Sequence, residues 1–201
     1  MITNRFIHVH LPRTAGTTFG IVARRLQAHG LVIFDDAAHR PLSERQARCA
    51  ELGITIPPAV TFVRDPWCWY PSQWRWLRYT HHADFYGDFA AYMAIVRRRC
   101  FSDWNWFSFT GCHHLLGAEN VDYTGTVCTF EQDVLAIYAR YAPDIPRAAL
   151  LHVLADVGIA NASPHDLACT WRREDAAWVQ VEDAAILEKY NYPQWPTCLE
   201  D

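Results

Sequence analysis

The stretch that sets the fold reads His8-Val9-His10-Leu11-Pro12-Arg13-Thr14-Ala15-Gly16-Thr17-Thr18-Phe19. Residues 6–11 have the β-branched and apolar content of a buried strand, and apolar residues at helical spacing predict a helix over residues 17–29. A strand that turns through a short loop into a helix brings several backbone N–H groups and the positive end of the helix dipole to one point. The stretch therefore predicts a binding site for phosphate or a similar anion.

The loop between this strand and helix carries suitable side chains. Gly16 lets the backbone approach an anion closely, Thr17 and Thr18 add hydroxyl donors, and Arg13 supplies a cation. A P-loop nucleotide triphosphatase would carry GxxxxGK followed by Ser or Thr, and this sequence does not. The alternative interpretation is an ordinary βα turn with a capping threonine. The candidate anion ligands are Arg13, Thr14, Ala15, Gly16, Thr17 and Thr18.

Strands alternate with helices in the first part of the chain, and this order predicts an α/β fold with a short parallel sheet flanked by helices. In such sheets, ligands gather at the carboxyl ends of the strands. The patterns predict strands over 6–11, 31–34, 59–63 and 126–130. Helices are predicted over 17–29, 43–52, 67–100 with a break near 81–84, 131–141, 146–158 and 174–190.

Composition limits the class of function. The chain has 201 residues, of which 51% are hydrophobic, so we predict one domain over 1–201 whose C-terminal half is mostly helical. The net charge of −4 argues against a nucleic-acid binder. No apolar run approaches the roughly 20 residues of a transmembrane segment. The seven cysteines form no CxxC pair and no secretory leader is visible, which favours reduced thiols in a soluble, cytoplasmic protein.

A second motif follows the predicted strand 59–63. It reads Phe62-Val63-Arg64-Asp65-Pro66, and Ser72 lies eight residues past Arg64. Taken with residues 10–18, it resembles the motifs of sulfotransferases that use 3′-phosphoadenosine 5′-phosphosulfate. The resemblance implies that the first loop binds the 5′-phosphosulfate and that Arg64 and Ser72 bind the 3′-phosphate. A donor with phosphate groups at both ends of an adenosine needs two such anion sites.

Within this family, residues 17–20 and 72–75 are most similar to the heparan sulfate 6-O-sulfotransferases, and residues 121–133 and 161–163 are similar to later family segments. The resemblance implies a three-layer, P-loop-like sulfotransferase fold. It also implies transfer of a sulfuryl group to a hydroxyl, on a carbohydrate or another acceptor, with 3′-phosphoadenosine 5′-phosphate as the product and with no metal. Neither nucleic acid nor a membrane segment is expected, and the sequence does not indicate an oligomeric state.

Two positions carry the predicted chemistry. The family places a lysine in the loop to stabilise the departing phosphate, and this chain has Arg13 there; Lys189 is its one lysine. Arginine keeps the charge but cannot shuttle a proton. The 6-O-sulfotransferases have a catalytic histidine after the second strand, and His39 follows the second predicted strand of this chain. The resemblance therefore implies that His39 is the general base. Asp35 and Asp36 are alternatives, either as the base or as groups that orient the imidazole.

Other interpretations remain open at the level of the sequence. The rival bases are His81, His82, His113 and His114. The dense tryptophans Trp67, Trp69, Trp74 and Trp76 either pack in a core or stack on a ligand. With Arg13 in place of lysine, the chain could be a catalytically impaired nucleotide-binding protein. A P-loop-like kinase or hydrolase is the other alternative, although it would need Mg²⁺-binding carboxylates and a loop lysine.

Overall fold

The computed structural model describes residues 1–80, 87–98, 108–158, 160 and 167–196. Among the residues singled out above, His81, His82 and residues 161–163 lie outside the described residues. The chain divides into two compact units, one formed by Met1–Arg64 with His114–Ala162 and the other by Asp65–His113 with Ser163–Asp201. Each unit is described by itself. The single domain over 1–201 stays a prediction.

The first unit contains a five-stranded, open, mixed sheet. Its strands are β1 Ile2–Thr3, β2 Ile7–Val9, β3 Ile33–Asp35, β4 Ala59–Val63 and β5 Tyr123–Thr126, in the spatial order β3-β1-β2-β4-β5. Strands β2, β4 and β5 are parallel, whereas β1 runs antiparallel to both β2 and β3. The predicted α/β class is confirmed. The predicted parallel sheet is wrong in one respect, because β1 makes the sheet mixed.

Strand β1 forms a tight hairpin with β2. The Thr3 hydroxyl accepts hydrogen bonds from the N–H groups of Arg5 and Phe6, at 3.1 and 2.9 Å, and so closes the turn between the strands. A strand of two residues carries no hydrophobic period, which is why the sequence pattern does not indicate it. Insertion of β1 places β3 at the edge of the sheet, where Phe34 is exposed.

Helices of the first unit flank this sheet, and the second unit is helical. In chain order the helices are α1 Gly16–Arg25, α2 Leu42–Glu51, α3 Pro66–Thr80, α4 Phe89–Arg97, α5 Phe109–Leu115, α6 Phe130–Tyr141, α7 Arg147–Val157, α8 Arg173–Glu182 and α9 Ala184–Lys189, with 3₁₀ turns at Leu26–His29 and Ala118–Asn120. Side chains of α1, α6 and α7 pack on Val60 and Phe62 of β4 and on Phe6, which directly precedes β2, to form a buried core. Helix α2 lies against β2. Burial of this apolar surface is the main stabilising contribution to the unit.

The last strand lies earlier than predicted, at Tyr123–Thr126 rather than at 126–130. Residues 127–129 instead form a turn held by Asp133, whose carboxylate accepts hydrogen bonds from the Thr126 N–H and the Thr129 hydroxyl at 2.8 and 2.6 Å. Threonine has a high strand propensity, and here the side-chain hydrogen bonds override it.

The second unit has an aromatic core. Trp69 packs on Phe109 with ring centroids 5.3 Å apart, and Trp171 packs on Phe89 at 4.9 Å. Trp67, Trp69 and Trp74 are all buried, whereas Trp76 is half-buried. Packing, rather than ligand stacking, therefore accounts for Trp67, Trp69 and Trp74.

The helix predicted over 174–190 is broken at Asp183, whose side chain is fully buried. Its carboxylate accepts hydrogen bonds from the Tyr70 hydroxyl at 2.7 Å and from the Thr110 N–H at 2.8 Å. Burial raises the pKa of Asp183 to about 6, and the bonds from Tyr70 and Thr110 offset part of that effect. The folded unit therefore binds this proton more tightly than the unfolded chain does.

Stability is expected to fall as the pH rises through the window from about 4 to 6, by roughly 3 kcal/mol from Asp183, because the proton must leave a buried site. Urea unfolding of the wild type and of Asp183→Asn across this range measures the effect. The variant should gain stability relative to the wild type as the pH rises. Glu188→Gln, which alters an exposed carboxylate on α9, is the control and should leave the pH dependence unchanged. Parallel profiles for the wild type and Asp183→Asn would contradict the prediction.

Two structural observations bear on the predicted environment of the protein. None of the helices among the described residues is both long enough and apolar enough to cross a membrane. No disulfide bond is formed by the cysteines that the structure describes, which are Cys49, Cys68, Cys112, Cys128 and Cys169. The cytoplasmic location stays a prediction.

Candidate active site

The turn between β2 and α1 has a strained backbone. Arg13 and Ala15 have positive φ angles of 59° and 63°, whereas Thr14 between them does not. Residues with a β-carbon rarely adopt this conformation, and such strain concentrates at functional sites. Successive residues that alternate between left-handed and right-handed backbone conformations can direct their N–H groups to one side and form a concave anion site. The buried Thr14 hydroxyl donates to the Leu11 carbonyl at 2.9 Å and holds the turn closed.

Helix α1 begins directly after this turn. Its first backbone hydrogen bond runs from the Phe19 N–H to the Ala15 carbonyl at 3.0 Å. The N–H groups of residues 16–18 therefore have no carbonyl partner within the helix. The first turn contains no acidic residue, so nothing in it neutralises the positive end of the helix dipole. The backbone of this segment is well suited to an anion.

The two threonines of the loop differ in their surroundings. The Thr18 hydroxyl is engaged by the backbone of Ala160, whose N–H donates to it at 3.1 Å and whose carbonyl lies at 3.4 Å. Thr17 is half-buried, and its hydroxyl forms no hydrogen bond with the part of the chain that the structure describes. Of the two predicted hydroxyl donors, Thr17 is thus the one available to a ligand.

Gly16 is required for a reason that the sequence does not reveal. A β-carbon at this position would lie 1.9 Å from Cδ2 and 2.2 Å from Nε2 of His10. The group that approaches Gly16 closely is therefore the His10 imidazole of the protein itself. The His10 ring also packs on His39, with centroids 4.3 Å apart. His10 thus connects the predicted anion loop to the predicted base.

Arg13 and Arg64 lie together at the carboxyl ends of β2 and β4. Arg64 Nη1 donates to the Arg13 carbonyl at 3.4 Å. Burial, and secondarily the charge of Arg64, lowers the pKa of Arg13 to about 10. Two neighbouring cations repel each other, and an anion bound beside them would relieve that repulsion. The structure therefore brings the two arginines, which are far apart in the sequence, to one edge of the sheet.

His39 has a defined tautomer. Its Nδ1 lies 3.0 Å from the His10 carbonyl oxygen, which can only accept, so Nδ1 carries the proton and Nε2 keeps its lone pair. Burial lowers the pKa of His39, and the bond to the His10 carbonyl partly opposes this. Burial, followed by the neighbouring His39, lowers the pKa of His10 to about 3. Both imidazoles are therefore neutral at neutral pH, and His39 is chemically competent as a base.

The carboxylates after β3 have other contacts. Asp36 forms an ion pair with Arg24 of α1, and Asp35 Oδ1 accepts a hydrogen bond from the Ala37 N–H at 2.8 Å. The His10 backbone carbonyl, and neither of these two carboxylates, thus accepts the hydrogen bond from His39 Nδ1–H.

The other predicted residues are distributed over both units. Ser72 is buried on α3 of the second unit. In the same unit, buried His113 lies 3.3 Å from the Tyr190 hydroxyl. In the first unit, exposed His114 lies 3.6 Å from a Glu119 carboxylate oxygen. Burial makes His113 poorly placed to reach a substrate.

Two residues of the site were missed in the sequence analysis. His10 lies inside the opening stretch, but a histidine in a strand gives no signal of contacts with Gly16 and His39. Arg45 of α2 is 1% exposed and lies near His39. An arginine between the apolar residues Leu42 and Cys49, at helical spacing, is a signal that could have identified it.

A comparison with protein-family models finds no match for this chain. Comparisons with curated proteins and with solved structures find no significant match either.

Proposed function

We propose that this protein transfers a sulfuryl group from 3′-phosphoadenosine 5′-phosphosulfate to a hydroxyl of a carbohydrate acceptor. The observation that supports the proposal is the contact of Arg64 with the carbonyl of Arg13, a residue of the turn that leads into α1. The donor carries anionic groups on both the 3′ and the 5′ oxygen of its ribose and therefore needs two neighbouring cationic positions at one sheet edge, which these arginines supply. Within the α/β class, the proposal corresponds to the three-layer, P-loop-like sulfotransferase fold.

In this proposal the donor lies across the carboxyl ends of β2 and β4. The amides of residues 14–18, the Thr17 hydroxyl and the Arg13 guanidinium bind the 5′-phosphosulfate. Arg64 binds the 3′-phosphate. The role of Ser72, which is buried in the second unit, stays a prediction of the sequence motif.

The reaction is an in-line displacement at sulfur. His39 Nε2 takes the proton of the acceptor hydroxyl as its oxygen bonds to sulfur, and the bond from sulfur to the bridging phosphate oxygen breaks. Arg13 neutralises the charge that develops on that oxygen. Because arginine does not give up its proton at neutral pH, 3′-phosphoadenosine 5′-phosphate leaves as an anion.

Calorimetric titration with 3′-phosphoadenosine 5′-phosphate tests the donor site. Arg64→Ala is expected to weaken binding roughly 10- to 100-fold, because a hydrogen bond to a charged group contributes about 1.5–3 kcal/mol. Arg25→Ala is the matched control, since Arg25 lies on α1 in an exposed ion pair with Asp156. Equal losses of affinity in the two variants would contradict the assignment of Arg64.

The same titration with ATP and Mg²⁺ separates the alternatives. Preference for ATP with Mg²⁺ would support the kinase or hydrolase alternative and reject the proposal. Binding of the bisphosphate without sulfuryl transfer to any of a panel of sugar acceptors would support the impaired nucleotide-binding protein. Binding of the bisphosphate with turnover supports the sulfotransferase.

A further inference from the structure

Helix α2 buries an arginine in the middle of an apolar stripe. Its other buried side chains, Leu42 and Cys49, are apolar, and Arg45 lies between them in the sequence. Burial of a guanidinium is unfavourable unless hydrogen bonds and opposite charges compensate for the lost hydration. Arg45 Nη1 is buried and has no hydrogen-bond partner among the described residues. Packing alone does not explain an incompletely satisfied charge at this position.

The Arg45 guanidinium holds the backbone on both sides of His39. Nη2 donates to the Ala37 carbonyl at 2.7 Å, and Nε donates to the Arg40 carbonyl at 3.3 Å. His39 itself has a φ of 55°. A residue with a β-carbon keeps this conformation only where its surroundings impose it. The two hydrogen bonds from Arg45 provide that constraint.

We propose that Arg45 is a positioning residue, which holds the loop around His39 so that Nδ1–H stays bonded to the His10 carbonyl and Nε2 serves as the proton acceptor. The inference rests on the proposed function of His39 as the general base. Arg45 acts through the backbone of residues 37–40 and has no contact with the reacting atoms in this scheme. Lysine is a poor substitute, because one ammonium group cannot reproduce two donors in a rigid plane.

The charge of Arg45, like its hydrogen bonds, favours a neutral His39 whose Nε2 can accept a proton. Burial is the main cause that lowers the pKa of His39, and the positive charge of Arg45 adds to it. The Met1 amino group also faces His39, but burial lowers its own pKa to about 4, so it is uncharged at neutral pH. The charged groups that face Arg45 itself are Asp35, Arg40, Asp36 and Glu44. Loss of the Arg45 charge should therefore raise the pKa of His39.

The first test measures the His39 tautomer and needs no turnover. Imidazole ¹⁵N shifts of the folded protein distinguish Nδ1–H from Nε2–H, and the spectrum of His39→Asn assigns the signal. The wild type should show the Nδ1–H form. Arg45→Met should show a mixture of both tautomers, and Arg48→Met, on the exposed face of the same helix, should match the wild type. An unchanged tautomer in Arg45→Met would overturn the inference, whether or not the protein proves to be a sulfotransferase.

The second test measures kinetics. Arg45→Met is expected to lower kcat at least 10-fold with the affinity for 3′-phosphoadenosine 5′-phosphate changed less than 3-fold, and to move the acid limb of the pH profile to higher pH. Arg45→Lys should recover only part of kcat. Arg45→Met combined with His39→Asn should lower kcat no further than His39→Asn alone, because both substitutions remove the same function, proton transfer to His39.

Unfolding of each variant separates positioning from folding. Arg45→Met removes the cost of a buried charge but leaves the carbonyls of Ala37 and Arg40 without their donor, so the two effects oppose each other and the urea midpoint should change little. A parallel loss of stability, donor affinity and turnover in Arg45→Met, with an additive effect in the double variant, would identify a merely structural residue and overturn the inference.

Discussion

Replacement of His39 by asparagine should lower turnover by a factor of about 10² to 10⁴, the usual contribution of a general base. Asparagine is the informative substitution. Its side-chain amide can donate to the His10 carbonyl in place of Nδ1, and asparagine tolerates the positive φ of 55° better than most residues. It has no group that can take a proton at neutral pH. Affinity for 3′-phosphoadenosine 5′-phosphate should therefore stay within about 2-fold, since ligand binding does not use the base.

The control for this variant is His29→Asn, which alters an exposed histidine of the first unit and should leave turnover unchanged. Single-turnover kinetics separate the chemical step from product release. Near-wild-type turnover in His39→Asn would reject His39 as the base. The search would then move to His81 and His82, which lie outside the described residues, and to His114.

Replacement of Gly16 by alanine is expected to destabilise the first unit by about 1–3 kcal/mol, because the new methyl group overlaps the His10 ring at 1.9 Å. That ring cannot move freely. It packs on His8 with centroids 5.6 Å apart and on His39 at 4.3 Å. Any displacement of His10 that makes room for the methyl group also disturbs His39, so turnover should fall together with stability.

Gly20→Ala is the matched control on the same helix. The nearest atom to a β-carbon there is Arg24 Nη1 at 3.6 Å, an ordinary contact with a flexible side chain. Alanine in the helix interior should stabilise by about 0.5–1 kcal/mol. Urea unfolding compares the two variants, and Gly16→Ala should cost less in a His10→Ala background because the overlapping ring is then absent. Equal stabilities for Gly16→Ala and Gly20→Ala would contradict the packing argument.

The candidate site was predictable to different degrees in its different parts. The loop from Arg13 to Thr18 follows from contiguous residues, because a strand, a small-residue turn and a helix start leave a recognisable local pattern. The engagement of the Thr18 hydroxyl by Ala160 could not be predicted, since the partner lies more than a hundred residues away along the chain. The candidate base, His39, was likewise predictable only in part. Its position after a strand was predicted, but its tautomer depends on the His10 carbonyl.

The amino-acid sequence alone specifies the α/β class, the order of the main elements and the turn from β2 into α1, because hydrophobic period and turn chemistry act over a few neighbouring residues. The tertiary structure decides the mixed sheet, the approach of Arg64 to Arg13 and the contacts of His10 with Gly16 and His39. It also decides the bonds from Arg45 around His39. These features depend on strand register and on side-chain direction between segments far apart in the chain, and no local pattern encodes either of them.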